Sequence, residues 1–275
     1  MSTAAKTFPS WAILLLITNG MLLLAVTLLI WRQQVVTAFF ETVSSNQVKS
    51  EGSPQATVQL GPRHTLNYQQ WVKILKQEAK VAAQTRPEHL AVLAGDSLSL
   101  WFPPELLPEN SKWLNQGISG ETSAGLLKRL DLLDQTQPKT IFVMIGINDL
   151  IRGTTDEAIV ENQRQIVRYL RKVHPRTEVV IQSILPHGKE EVTWEGREKL
   201  LAIPNHRIWM LNQQLQTMAK KEGVKYLDLY SLFANKQGNL RPELTTDGLH
   251  LNFQGYLVWR SALQLYSQIA LPERL

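Results

Sequence analysis

The stretch Ala91-Val92-Leu93-Ala94-Gly95-Asp96-Ser97-Leu98-Ser99 passes from unbroken apolar to polar within a few residues. A short apolar run ended by a turn signal reads as a buried strand, here His89–Ala94. Gly95 permits a tight turn, and Asp96 or Ser97 suits the cap of a following helix. A serine just past the carboxyl end of a parallel strand stands where open α/β sheets bind their ligands. The stretch is not the G-x-S-x-G nucleophile elbow, because position 99 is Ser.

Working outward, further strands are expected at Thr140–Ile145, Glu178–Ile184 and Val224–Leu229. Helical periods fall near 121–135, 156–173, 205–222 and 253–269. Strands alternating with helices predict an α/β fold: a parallel sheet with helices on both faces. An amphipathic helix over 66–84 precedes it. Tyr68, Trp71, Ile74, Leu75 and Ala82 share one side, and Lys73, Lys76 and Lys80 the other.

Three more motifs fall at strand ends or in the loops after them. In Asn115-Gln116-Gly117-Ile118-Ser119-Gly120-Glu121-Thr122 the glycines leave backbone N–H groups accessible near a helix start, able to bind a developing anion. In Ile145-Gly146-Ile147-Asn148-Asp149 the Asn amide can donate to an oxyanion. In Thr246-Asp247-Gly248-Leu249-His250 the carboxylate can fix the imidazole tautomer. Each motif alone also fits an ordinary cap or turn.

Together, in the order Ser, Gly, Asn, Asp-x-x-His, they closely resemble the SGNH (GDSL-type) hydrolases, a family of esterases and lipases. The resemblance covers about residues 88–270. The run Asp247–Asn252 followed by Gly255-Tyr256 is similar to the branch of platelet-activating-factor acetylhydrolase-like enzymes. It implies a three-layer α/β/α flavodoxin-like fold. It also implies that Ser97 is the nucleophile, His250 the acid/base and Asp247 the residue orienting it. The Ser97 and Gly117 N–H groups and the Asn148 amide would form the oxyanion hole. The implied activity is hydrolysis of a carboxylic ester through an acyl-enzyme, with neither metal nor organic cofactor. A small ester, an acylated sugar or a lipid fits as substrate. An O-acyltransferase acting on an envelope glycan, or a noncatalytic binding protein of the same fold, are the other readings. Asp228 is a spare acid at a strand end, and Asp149 reads as a loop residue. Residues 186–204 are long for an α/β connection. They are expected to form a mobile lid or rim, or a solvated insertion, with Trp194 as an acyl contact.

The remainder of the chain sets the setting. From Trp11 to Trp31 there is no charge, and as a helix at about 1.5 Å per residue the run spans a bilayer core. Tryptophan at both ends suits the interfaces. The expected organisation is a short tail (1–10), a transmembrane anchor (11–31), a polar stalk (32–65) and a hydrolase domain (66–275). Lys6 and the α-amine lie before the apolar run, with only Arg32 close beyond it. The positive-inside rule then puts the domain outside the cytoplasmic membrane, on a single-pass anchor. Of the net charge of +5, residues 85–275 carry only +1. That argues against a nucleic-acid partner, which would need a basic face on the folded domain. The absence of cysteine excludes disulfides and thiolate chemistry.

Overall fold

The computed structural model describes residues 66–270. Its centre is a five-stranded sheet: β1 (Leu90–Gly95), β2 (Lys112–Gly117), β3 (Thr140–Met144), β4 (Glu178–Gln182) and β5 (Lys225–Leu227). Every pairing is parallel, and the order is β2-β1-β3-β4-β5. This is the doubly wound arrangement in which ligand sites gather beyond the carboxyl ends of the strands, where the order reverses beside β1.

The inner strands β1, β3 and β4 are buried on both faces, so they are largely apolar and the alternation appears only in the packing. Val92, Ala94, Ile141, Val143, Val179 and Ile181 point to one core. The helices Tyr68–Thr85, Ser123–Lys128, Asp156–Val173 and Asn205–Lys221 cover that side. Leu93, Phe142, Met144 and Val180 point to the other, under the last helix, Phe253–Ala270. There Trp259 is fully buried and its indole N–H donates to Gln182 Oε1 at 2.8 Å.

Two features depart from the sequence expectation. β2 was not expected as a strand. It lies at the sheet edge and carries Lys112, Asn115 and Gln116, so no apolar run marks it. The helix expected over 121–135 stops at Lys128, and a 3₁₀ turn, Leu130–Leu133, follows. Arg129 breaks it by turning its guanidinium inward, donating to Glu121 at 2.8 Å and to the Gln116 carbonyl at 2.8 Å. Among the described residues no helix is long and apolar enough to cross a membrane. The expected anchor and stalk lie outside the described residues.

Candidate active site

The site is built from the loops that follow the carboxyl ends of the strands. β1 ends at Gly95, where a Cβ would lie 2.2 Å from the Met144 carbonyl oxygen. The chain turns at once into a short helix, Ser97–Leu100, capped by Asp96 Oδ1, which accepts the Leu98 N–H at 3.0 Å. This puts Ser97 on the first helical residue. Asp96 is only 1% exposed. Burial pushes its carboxyl up to about 7, with the Asp149 and Glu121 carboxylates adding to the rise and the Leu98 N–H opposing it.

The loop before the last helix brings a histidine to this serine from 153 positions away: His250 Nε2 lies 3.2 Å from Ser97 Oγ. His250 Nδ1 lies 2.7 Å from Asp247 Oδ2. Asp247 Oδ1 meanwhile accepts the His250 and Leu249 N–H groups at 2.7 and 3.0 Å. Partial burial pulls Asp247 upward. The hydrogen bonds from the His250 ring and from the two backbone N–H groups outweigh it and hold the carboxyl below its usual range. The Trp101 ring lies against the His250 imidazole, with centroids 4.3 Å apart.

Asn148 follows Gly146, whose φ of +136° is a conformation glycine adopts readily. The Asn148 Nδ2 is buried and has no hydrogen-bond partner. A buried donor left unpaired costs free energy unless something else uses it. Beside it, Asp149 accepts the Ser123 N–H at 2.8 Å and the Ser123 hydroxyl at 2.6 Å, which ties the β3 loop to the helix after β2. Asp149, expected in a loop, lies in the short helix Ile147–Ile151, where these bonds give it a structural role. Asp228 is exposed and accepts from the Ser231 hydroxyl.

Gly117 differs from expectation. Its N–H, expected at the oxyanion position, is donated to Asn115 Oδ1 at 3.0 Å. The glycine is required instead by close approach, since a Cβ would lie 2.4 Å from Leu100 N and 2.8 Å from the Asp96 carbonyl oxygen. Gly120, three residues on, has φ +73°, and among the described residues its N–H takes no backbone or side-chain acceptor. The signal for it was present as the second glycine of the same loop.

Residues 186–204, expected as a lid or rim or as a solvated insertion, are bonded to the loop that carries Asp247 and His250. The Thr193 and Trp194 N–H groups donate to the Asp247 carbonyl at 2.9 and 3.2 Å, and Gly188 N–H donates to the Gly248 carbonyl at 2.8 Å. Val192 packs against Gly248, and Trp194 packs on the core rather than standing free. Asn205 clamps both main-chain groups of buried His187 at 2.9 and 2.8 Å. This segment braces the loop that carries Asp247 and His250. The ties to Asp247 and Gly248 are made by backbone atoms, so the side chains of the segment do not announce them.

A parallel β2-β1-β3-β4-β5 sheet with serine, histidine, aspartate and asparagine gathered beyond its strand ends defines an α/β protein of the hydrolase type. The sequence matches the model of the GDSL-like Lipase/Acylhydrolase family over residues 91–258, and the chain belongs to that family. Among curated proteins it is similar to an N-acylneuraminate cytidylyltransferase of Streptococcus agalactiae, with 28% identity over 64% of this chain. The chain spans only 38% of that protein's length. It is also 25% identical to the isoamyl acetate-hydrolyzing esterase of Saccharomyces cerevisiae, over 54% of this chain and 66% of the esterase. Among solved structures, a candidate platelet activating factor protein from Streptococcus pneumoniae superposes with a TM-score of 0.63 at 28% identity. That match covers 70% of this chain and 91% of the other.

Proposed function

We propose that this protein hydrolyses a carboxylic ester through an acyl-enzyme on Ser97. The observation that carries the reading is the continuous run of contacts from Ser97 Oγ through the His250 ring to Asp247. With its Nδ1 proton held by Asp247, the imidazole presents an unprotonated Nε2 to the serine. Nε2 takes the hydroxyl proton as Oγ bonds to the ester carbonyl carbon. The same proton passes to the leaving alcohol when the C–O bond breaks. Water repeats the sequence and releases the acid. Asn148 Nδ2 fits the role of oxyanion donor, because it is buried, polar and unpaired in the resting site. The Ser97 N–H, at the first turn of its helix, is the second donor. The free N–H of Gly120 suits the third position better than that of Gly117.

In this reading the segment Trp11–Trp31 anchors the enzyme, with the domain outside the cytoplasmic membrane. Protease added to intact spheroplasts tests this: the domain is expected to be digested while cytoplasmic markers survive, and full protection would contradict it. The esterase reading is tested by p-nitrophenyl acetate hydrolysis with the full chain. Ser97→Ala is expected to remove turnover, and turnover that persists would contradict the assignment.

A further inference from the structure

Beside the site lies an open groove of about 600 Å³, within the size range of small-molecule pockets. One wall is Trp71 and Leu75 of the helix Tyr68–Thr85. The other is Leu100, Trp101 and Leu107, and Trp113 of the edge strand β2 contributes to the lining. Most of this surface is aromatic or aliphatic, with Glu78 and Asn115 as its polar members. Trp101 joins the groove to the chemistry, because the same indole that lines it lies against the His250 imidazole. Trp101 is nonetheless 46% exposed, among the larger apolar surfaces left open.

Resting on the esterase reading, we infer that this groove takes the acyl chain of the substrate, so that the enzyme prefers esters of medium or long linear fatty acids to acetates. Trp101, against the His250 ring that contacts Ser97, puts the groove within reach of an acyl group bonded to Ser97. A flexible hydrocarbon chain matches an open, mostly apolar surface, whereas a sugar would need more hydrogen-bonding groups than the groove supplies. The Trp71 wall lies before residue 91, outside the residues that match the family. The groove is therefore completed by a helix that lies outside that match. Trp71 acts on the distant end of the chain, not on the reacting atoms.

The test is kcat/KM of the full chain on p-nitrophenyl acetate and p-nitrophenyl octanoate. A buried methylene is worth about 0.8 kcal/mol, or about fourfold in kcat/KM for each one the groove covers. Octanoate is therefore expected to exceed acetate severalfold or more. Trp71→Ala is expected to lower octanoate turnover by about tenfold while acetate stays within about twofold. Leu107→Lys, which puts a charge in the groove without touching that helix, is expected to do the same. The proposal is overturned if acetate is the better substrate of the wild type. It is also overturned if both variants leave octanoate unchanged or lower the two esters equally. Failure of the underlying esterase reading looks different: acetate turnover would then survive Ser97→Ala.

Discussion

Asp247 holds His250 at two points. Its Oδ1 accepts the backbone N–H at 2.7 Å, and its Oδ2 lies 2.7 Å from the ring Nδ1. The first contact shapes the loop and the second sets the tautomer. An asparagine keeps the first, because its amide oxygen still accepts the N–H. It loses the second, because an amide NH₂ placed toward Nδ1 favours the opposite tautomer.

Asp247→Asn is therefore expected to lower kcat by roughly 10²–10⁴, with a thermal midpoint close to that of the wild type. Steady-state kinetics and thermal unfolding on the same preparation check this. An unchanged kcat would remove Asp247 from the mechanism.

Asn148 gives the complementary case. Its Nδ2 has no partner to lose in the resting protein. Asn148→Ala is expected to lower kcat by about 10²–10³, the usual effect of removing one oxyanion donor. Stability is expected to hold or rise, because a buried unpaired donor is removed. A drop in stability matching the loss of rate would assign Asn148 to the fold instead.

Asp96 makes a prediction about pH. Its folded carboxyl is pushed up to about 7 from an ordinary 3.8, chiefly by burial. The folded protein thus keeps a proton that the unfolded chain releases between about 4 and 7, and this group lowers stability as pH rises through that window. Above it the contribution is level. Asp96→Asn keeps an acceptor for the Leu98 N–H but cannot ionise. Urea unfolding at pH 5 and pH 8 is expected to show the variant gaining on the wild type at the higher pH. An equal difference at both values would mean that Asp96 is ionised throughout.

The two glycines of the β2 loop are expected to respond differently to alanine. At Gly117 a Cβ meets backbone atoms of Leu100 and Asp96 that cannot turn aside. At Gly120 the nearest atom is the flexible end of Arg152, at 3.7 Å, so the main cost is the φ of +73°. That conformation costs about 1–2 kcal/mol for a residue with a Cβ. Gly117→Ala is expected to lose several degrees more in the unfolding midpoint than Gly120→Ala. A reversed order would mean that the loop relaxes at 117.

Much of this architecture was legible because its signals are local. The apolar runs of β1, β3 and β4 and the helical period of Asp156–Val173 reflect burial that the residues themselves require. The edge strand β2 was not legible, since an edge tolerates Lys112 and Asn115. At the site, Ser97, Asp247 and His250 were readable as motifs, and the fold brings them within hydrogen-bonding range. The diversion of the Gly117 N–H to Asn115 was not readable, because it depends on which way one side chain turns. Nor was the role of residues 186–204, where a polar, exposed-looking sequence hides Val192, Leu200 and Ile203 in the core.

The most direct test of the central claim is covalent labelling of the full-length protein with a fluorophosphonate, followed by peptide mapping of the adduct. The account predicts a single phosphonylated serine, Ser97, with labelling abolished in Ser97→Ala and strongly slowed in His250→Ala. An adduct on another residue, or undiminished labelling of the Ser97→Ala protein, would contradict it.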